Sequence, residues 1–169
     1  MRIAVIGHSG SGKSTLAQTL AQREGLPLLH LDQLNFLPGW VQRDRAEALA
    51  LADAFQDRPG WVIDGNYPSL GMERRMELAD LILFLDFPPL LCLRRAVGRY
   101  RKHRGRVRDS AAEGCREKLD WAFVRWILWE GRSGAYRQRY RRIEAAYPGK
   151  ILVLKTPRAV RDFLARSLT

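Results

Sequence analysis

The sequence predicts an α/β fold, a doubly wound and five-stranded parallel sheet with helices on both faces. Five short apolar segments rich in branched residues recur along the chain, at 3–6, 28–31, 61–63, 81–85 and 151–154. Stretches with helical spacing separate them, and neighbouring parallel strands need such crossover connections, which are usually helices. A glycine-rich turn joins the first apolar segment to the first helix. This arrangement is typical of a sheet that is covered by helices on both faces.

Residues with capping character mark where the helices begin and end. Gly favours the left-handed conformation found at helix C-termini, and Asp, Thr and Pro are favoured in the first positions of a helix. The predicted helix boundaries are Lys13 to Gly25, Asp44 with Glu47 as a capping box, Pro88-Pro89 through about Lys102, and Thr156-Pro157. We therefore expect each apolar segment to be followed by a well-defined helix.

The length and composition indicate an ordinary globular protein. A chain of 169 residues predicts one domain spanning 1–169, and 46% hydrophobic with 28% charged residues is the usual balance. No apolar run approaches the roughly 20 residues needed to cross a bilayer, and the N-terminus lacks a signal-peptide pattern. We expect a soluble, cytoplasmic protein. The two cysteines, Cys92 and Cys115, lie in helix-like stretches and are expected to be reduced thiols.

The net charge of +11 predicts anionic partners. Eight basic residues and no acidic one occur in the stretch from 94 to 108, namely Arg94, Arg95, Arg99, Arg101, Lys102, Arg104, Arg106 and Arg108. The guanidinium fork suits paired contacts with phosphate oxygens, although a solvated face is the simpler alternative. Periodicity is lost between 104 and 114, which predicts a mobile flap. The apolar helix that follows, at 119–129, is expected to pack in the core or lid.

The most specific motif is the turn Gly7-His8-Ser9-Gly10-Ser11-Gly12-Lys13-Ser14-Thr15, whose first eight residues match GxxxxGK[ST]. It follows an apolar strand and opens an amphipathic helix, so main-chain N–H groups and the positive helix end converge on one anion. Lys13 is expected against the β and γ phosphates, Ser14 on Mg²⁺, and Thr15 at the helix start. The motif predicts binding of ATP or GTP with magnesium; a glycine-rich turn without a ligand is the alternative.

A carboxylate follows three of the predicted strands: Asp32, Asp64 and Asp86. In an open parallel sheet the ligand crevice lies beyond the carboxyl ends of the strands, so these side chains share a rim with the phosphate loop. Asp64 is predicted as a ligand of magnesium-bound water, and Asp32 as a general base or substrate clamp. Capping of a neighbouring helix or turn is the alternative for each.

The motifs GHSGSGKST, HLDQLNFLPGW, WVIDGNY and LILFLDFPP, followed by the arginine-rich stretch, give the chain a resemblance to known proteins. It resembles the adenylate-kinase-like branch of P-loop kinases, and most closely the DNA topology modulation, FlaR-related, proteins. The resemblance covers nearly the whole chain. It implies a P-loop nucleoside-monophosphate-kinase type of fold, with an acceptor-binding insert at about 33–60 and a mobile arginine-rich lid at about 94–135.

The resemblance also implies roles for several residues. In that kinase branch, the Asp of an Asp-Gly step at the end of the third strand orients magnesium through water, and here the step is Asp64-Gly65. Arg95 and Arg99 resemble the pair at the lid entry, where one guanidinium lies by the adenine and the other reaches phosphate. Residues four apart share one helix face, which supports this pairing independently. The loop after the fifth strand, with Arg158, would receive the base.

The acceptor side departs from the adenylate-kinase pattern. Those enzymes continue the Asp-Gly step with Phe-Pro-Arg, whereas this chain continues with Asn66-Tyr67-Pro68-Ser69. Asn66 is expected to bind substrate, and Arg43, Arg74 and Arg75 are candidates for the missing arginine. Trp40 lies in an apolar segment, where stacking on a base and simple loop packing are both open.

Transfer of the ATP γ-phosphoryl group to a nucleotide or another small acceptor is the expected function. Two alternatives remain open. One is an ATP-responsive nucleic-acid-binding or topology-modulating protein that uses the basic surface. The other is a small-metabolite kinase of the gluconate or shikimate type, with which Asp32 is consistent. The sequence does not predict the acceptor or the oligomeric state.

Overall fold

The computed structural model describes residues 1–103, 112, 114–115 and 119–166. In chain order the elements are β1 (Arg2–Gly7), α1 (Lys13–Glu24), β2 (Leu28–His30), α2 (Leu31–Asn35), β3 (Phe36–Leu37), β4 (Val41–Gln42), α3 (Arg45–Gln56), β5 (Trp61–Asp64), α4 (Met72–Leu78), β6 (Leu81–Leu85), α5 (Pro89–His103), α6 (Trp121–Leu128), α7 (Gly134–Ala146), β7 (Ile151–Leu154) and α8 (Pro157–Ala165).

The central sheet has five parallel strands in the order β2-β5-β1-β6-β7. All five apolar segments therefore form strands, as predicted. The first strand lies in the middle and pairs with β5 on one side and β6 on the other. Because the order reverses on the two sides of β1, a crevice opens at the end of this strand, where the glycine-rich turn begins.

Helices cover both faces of the sheet, which confirms the doubly wound fold. The side chains of β1 alternate between two buried clusters, as the two-residue period of a strand requires. Ala4 and Ile6 pack with residues of α3, α4 and α7. Ile3 and Val5 pack with residues of α1, α5, α6 and α8. The two clusters fix the helices whose ends surround the crevice.

The predicted helix ends are confirmed with one change. Gly25 ends α1 with φ 63°, and the Thr156 side chain accepts the main-chain N–H of Ala159 at the start of α8. Asp44 accepts the N–H of Glu47 at 3.0 Å. The Glu47 carboxylate, however, accepts from Arg43 at 2.5 Å. The capping box at α3 is therefore only half formed.

A small hairpin, β3 and β4, stands in the predicted acceptor insert. Its turn contains Gly39 and Trp40, both with positive φ. The Trp40 ring packs edge to face against Phe36, with ring centroids 5.2 Å apart, and its main-chain N–H donates to Cys115 Sγ at 3.3 Å. Cys115 was expected in a helix, but it lies outside the helices. Cys92 and Cys115 are both free thiols.

The arginine-rich helix α5 and the apolar helix α6 are both present where the sequence predicts them. The mobile flap was predicted for 104–114, and most of that segment lies outside the described residues, so the flap stays a prediction. Among the described helices, none combines the length and apolarity needed to cross a bilayer.

Candidate active site

The glycines of the phosphate loop are required by close packing against two elements. A Cβ on Gly7, at φ 141°, would lie 2.4 Å from the main-chain oxygen of Leu85 at the end of β6. A Cβ on Gly10, at φ 81°, would lie 2.4 Å from the main-chain oxygen of Cys92 in α5. Any side chain at either position would collide with backbone, which cannot move aside cheaply. The loop is thus held between β6 and α5 with its main chain facing the crevice.

The first turn of α1 carries the residues expected to contact phosphate. Lys13 is the first residue of this helix, and its Nζ donates to the main-chain oxygen of His8 at 3.1 Å. This bond spans the curve of the loop and holds the ammonium within it. Three cavities around the loop have Lys13 and Ser14 among their lining residues. The positive end of the helix adds to the field of Lys13 at this point.

Asp64 lies at the end of β5 beside the phosphate loop and is 5% exposed. Its Oδ2 pairs with Nδ1 of His30 at 3.0 Å, whereas its Oδ1 is buried without a partner. Burial raises the pKa of Asp64, but the His30 hydrogen bond, the Lys13 charge and the nearby Ser14 hydroxyl together lower it overall. The carboxylate is therefore ionised and keeps one oxygen free beside the Ser14 hydroxyl.

This arrangement fits a magnesium ion. Mg²⁺ keeps several waters and is held by one or two carboxylates together with substrate phosphates, so the free Asp64 oxygen and the Ser14 hydroxyl are suitable partners. Within the described part of the chain, no group of three or more His, Cys, Asp and Glu could hold a metal ion. A magnesium site formed mainly by the phosphates, with few protein ligands, agrees with the free Asp64 oxygen and with the lack of a larger ligand cluster among the described residues.

Asp32 lies in α2, near the end of β2, and is held by a tyrosine. The Tyr67 hydroxyl donates to Asp32 Oδ1 at 2.6 Å. Burial, followed by the Asp32 charge, raises the pKa of Tyr67 well above its usual range, so the hydroxyl stays protonated and remains a donor. Tyr67 therefore contacts only one of the two carboxylate oxygens of Asp32, Oδ1, and not Oδ2. Tyr67 is a site residue that the sequence analysis did not assign.

Two cavities meet beside Asp32. We call the first the α7 cavity; it has a volume of about 370 Å³ and is lined by His8, Ser9, Lys13, Ser14, Asp32, Asp64, Gly65, Asn66, Tyr67, Pro68, Trp126, Gly131, Tyr136, Arg139 and Tyr140. We call the second the hairpin cavity; it has a volume of about 430 Å³ and is lined by Ser9, Gly10, Lys13, Ser14, Asp32, Phe36, Trp40, Tyr67, Arg99, Asp120 and Phe123. The two cavities share Lys13, Ser14, Asp32 and Tyr67, among others.

The predicted arginine pair lies beside the phosphate loop. Arg95 and Arg99 line one groove together with Gly10, Gly12 and Thr15; we call it the phosphate groove. The Arg95 guanidinium lies 5.4 Å from the centroid of the Phe87 ring. Arg95 also lines a second groove, which runs to Pro157 and Arg161 at the start of α8. The structure thus brings both arginines to the phosphate loop, as their four-residue spacing predicts.

Arg158, predicted to bind the nucleotide base, lies elsewhere. Its side chain is 83% exposed, and its Nε lies 3.7 Å from the carboxylate of Asp162 in the same helix. Arg161, one turn later, lines the groove instead. The groove follows the face of α8 that carries Pro157, Val160, Arg161 and Leu164, and Arg158 is not among the residues that line it.

Asn66, predicted to bind substrate, holds the phosphate loop. Its Oδ1 accepts the N–H of Gly7 at 3.0 Å, and its Nδ2 donates to the oxygen of Gly7 at 2.6 Å. Both functions of the amide are thereby engaged. The side chain lies on the wall of the α7 cavity, but its hydrogen bonds position the loop.

The arginines proposed for the acceptor phosphate are also engaged within the protein. Arg75 is 0% exposed and donates to the main-chain oxygens of Leu70 and Gly65; burial lowers its pKa to about 10. Arg43 donates to the Leu34 oxygen and to Glu47. Neither of these two side chains lines a cavity at the phosphate loop. Both side chains are therefore held by the protein's own groups and do not face these cavities.

His8 of the phosphate loop pairs with Asp86, the carboxylate that follows β6. The distance from His8 Nε2 to Asp86 Oδ1 is 3.2 Å. Burial and then the Arg132 charge lower the pKa of His8 to about 4, against the opposing effect of Asp86. The imidazole is therefore neutral at pH 7. Asp86 therefore contacts the phosphate loop through the side chain of His8, a position at which the motif allows any residue.

No protein-family model matches the chain, and no curated protein is significantly similar to it in sequence. Solved structures do match. A gluconokinase from Sinorhizobium meliloti 1021 is 19% identical with a TM-score of 0.53, over 97% of this chain and 89% of that one. A protein from Chloroflexus aurantiacus j-10-fl, classed provisionally as a kinase, is 17% identical with a TM-score of 0.52, over 99% and 98%. The chain has the α/β fold of these kinases.

Proposed function

We propose that the protein is a magnesium-dependent kinase that transfers the γ-phosphoryl group of ATP or GTP to a hydroxyl group of a small acceptor. The observation that carries this proposal is that two carboxylates, Asp32 and Asp64, line a cavity together with Lys13. Asp64 and Ser14 are suited to hold a metal at the phosphates, and Asp32 opens into two cavities that Lys13 also lines. A site that only bound nucleotide would not need the second carboxylate.

On the donor side, the triphosphate lies in the phosphate groove along residues 7–15. Main-chain N–H groups and the N-terminus of α1 bind its oxygens, and Lys13, Arg95 and Arg99 surround it with positive charge. Ser14, and Asp64 through water, would hold a magnesium ion, which would neutralise charge on the phosphates. Phosphoryl transfer depends mainly on such positioning and charge.

On the acceptor side, Asp32 accepts the proton of the attacking hydroxyl. A bond forms between the acceptor oxygen and the γ phosphorus, the bond from that phosphorus to the bridging oxygen breaks, and the nucleoside diphosphate leaves with the electron pair. Tyr67 holds one Asp32 oxygen at 2.6 Å and so fixes the orientation of the carboxylate. General bases placed in this way contribute roughly 10²–10⁴-fold to a rate.

Nucleic-acid binding is the weaker candidate. Arg95 and Arg99 belong to the basic cluster that suggested it, yet both line the phosphate groove. Arg104, Arg106 and Arg108 lie outside the described residues. Among the structural neighbours, a gluconokinase is consistent with a small acceptor. The closer likeness to topology modulation proteins remains a prediction from sequence motifs.

The test combines nucleotide binding with turnover. Wild-type protein should bind ATP in a calorimetric titration with magnesium and should release ADP when an acceptor is present. Lys13→Ala should lower turnover roughly 10²–10³-fold, because it removes one preorganised positive charge from the developing transition state. Its thermal unfolding should match that of the wild type. Undiminished turnover in the folded variant would refute the proposal.

A further inference from the structure

Arg139 stands out among the residues that line the α7 cavity. Its guanidinium lies 5.0 Å from the centroid of the Tyr136 ring, and it contributes a positive field at Tyr140. Among the described residues, no carboxylate forms an ion pair with Arg139. A partly buried arginine that is stacked on an aromatic ring but not paired with an acid is ready to bind an anion.

The other charges of the α7 cavity already have roles. Lys13 faces the triphosphate, Asp64 lies at the magnesium position, and Asp32 faces the acceptor hydroxyl. His8 is neutral, because burial lowers its pKa to about 4. Among the residues that line this cavity, Arg139 is then the one charged side chain that neither binds the phosphoryl donor nor acts as the general base. A single positive charge matches an acceptor with a single negative charge.

The acceptor side is poor in arginines that could bind a phosphate monoester. Arg43 and Arg75 bind main-chain oxygens, and Arg74 forms ion pairs with Asp57 at 2.5 Å and Asp53 at 3.7 Å. A nucleoside monophosphate carries close to two charges on its phosphate, and such groups are usually bound by several donors at once. The described residues around the α7 cavity do not offer such a set.

The remaining walls are aromatic and rigid. Trp126 meets Tyr136 edge to face at 5.2 Å and donates to Ser9 Oγ at 3.3 Å, which ties this wall to the phosphate loop. Tyr140 stacks on Phe84 with centroids 4.3 Å apart. A cavity of about 370 Å³ lies near the lower end of the range for small-molecule sites. It suits a compact molecule whose C–H groups contact the rings.

We propose that the α7 cavity binds a small hydroxy acid, with its carboxylate on Arg139 and the hydroxyl to be phosphorylated at Asp32. This inference rests on the proposed kinase function and adds the acceptor class to it. The acceptor proton passes to Asp32, the new O–P bond replaces the bond to the bridging oxygen of the donor, and the products are a phosphorylated hydroxy acid and a nucleoside diphosphate.

The first experiment compares matched acceptors with ATP and magnesium. Gluconate is tested against sorbitol, and glycerate against glycerol, so that each pair differs in the carboxylate. Glycerol 3-phosphate and AMP test whether the anion is a phosphate instead. We expect a hydroxy acid to be phosphorylated with a kcat/KM at least roughly tenfold above that of its neutral partner, from the ionic hydrogen bonds to Arg139.

The second experiment tests Arg139 itself. Arg139→Gln should raise the KM of the accepted hydroxy acid by roughly 10- to 100-fold, while the KM of ATP stays within about twofold. Arg139→Lys should recover part of the loss, because it restores the charge without the fork. Arg137→Gln, an exposed change in the same helix, is the control and should leave both values unchanged. Arg139→Lys also controls for any loss of fold in the glutamine variant.

The outcomes separate this inference from the proposed function. Preferred phosphorylation of AMP or glycerol 3-phosphate, equal use of acid and neutral partner, or an unchanged KM in Arg139→Gln would overturn the inference and leave the kinase assignment intact. Binding of ATP and magnesium without phosphorylation of any panel member would also overturn the inference. Failure to bind ATP at all would overturn both.

Discussion

The phosphate groove and the α7 cavity share Lys13 and Ser14 but are built in different ways. The groove is lined by residues within one short stretch, 10–15, and by two arginines from a single helix. The α7 cavity is walled by side chains from α2, α6, α7 and the segment after β5. The first is a local structure that a short motif specifies. The second exists only after distant elements have packed, so its chemistry is set by the whole fold.

The largest effect is expected from a substitution that changes the acceptor side alone. Asp32→Asn should lower kcat by roughly 10²–10⁴-fold, because the amide cannot accept the hydroxyl proton. The affinity for ATP with magnesium, measured by calorimetry, should stay within about twofold. Asp162→Asn, an exposed change in α8, serves as control. A parallel loss of ATP binding would show that the two sides are not independent.

A glycine substitution tests the donor side, as Asp32→Asn tests the acceptor side. Gly10→Ala should destabilise the protein by about 3 kcal/mol and abolish nucleotide binding, because its Cβ would lie 2.4 Å from the Cys92 oxygen at a positive φ. Gly98→Ala in α5 is the matched control, since nothing lies within 4 Å of its added Cβ. It should stabilise the helix by about 0.5–1 kcal/mol. Denaturant unfolding of both variants measures the change in the free energy of unfolding. A change of the same sign in both variants would contradict the packing argument.

His8 joins the two regions, because its main chain belongs to the loop and its ring lines the α7 cavity. Its pKa in the folded protein, about 4, lies below the ordinary value of 6.5, mainly through burial. The neutral ring therefore contributes stability above pH 6.5, and this contribution is lost as the pH falls from 6.5 to about 4. The expected loss is about 3 kcal/mol. His8→Gln should flatten the profile of unfolding free energy over this window. An unchanged slope would show that another group titrates there.

The smallest effect concerns the orientation of the general base. Tyr67→Phe removes the 2.6 Å hydrogen bond to Asp32 and should lower kcat about tenfold, with little change in the KM for ATP. Steady-state kinetics with the accepted substrate provide the measurement. A change in the KM for ATP that exceeds the change in kcat would place Tyr67 on the donor side instead.

Most of the fold could be predicted from the sequence, because the signals for it are local. The five strands follow from apolar runs, and the helix ends follow from residues such as Gly25 and Thr156, whose preferences act within a few residues. The phosphate loop is the extreme case. Its glycines are dictated by the contacts of the loop backbone, so the motif itself carries the geometry.

The acceptor side could not be predicted in the same way. Asn66 and Arg75 have the right chemistry for a substrate contact, yet their side chains bind main-chain atoms, and only the folded structure shows where a long or planar side chain finds its partner. In α7, four arginines occur close together, Arg137, Arg139, Arg141 and Arg142. Which of them faces a cavity depends on how the helix packs against the sheet, and that information is absent from the local sequence.

The amide of Asn66 acts as one further rung of the parallel ladder between β1 and β5, since it gives Gly7 both an acceptor and a donor. A carboxylate at this position could offer only acceptors at neutral pH and would leave the Gly7 oxygen facing another oxygen. An acid at this one position would thus add a negative charge next to the phosphate loop, where the triphosphate is proposed to bind. Asn66→Asp is therefore expected to weaken nucleotide binding.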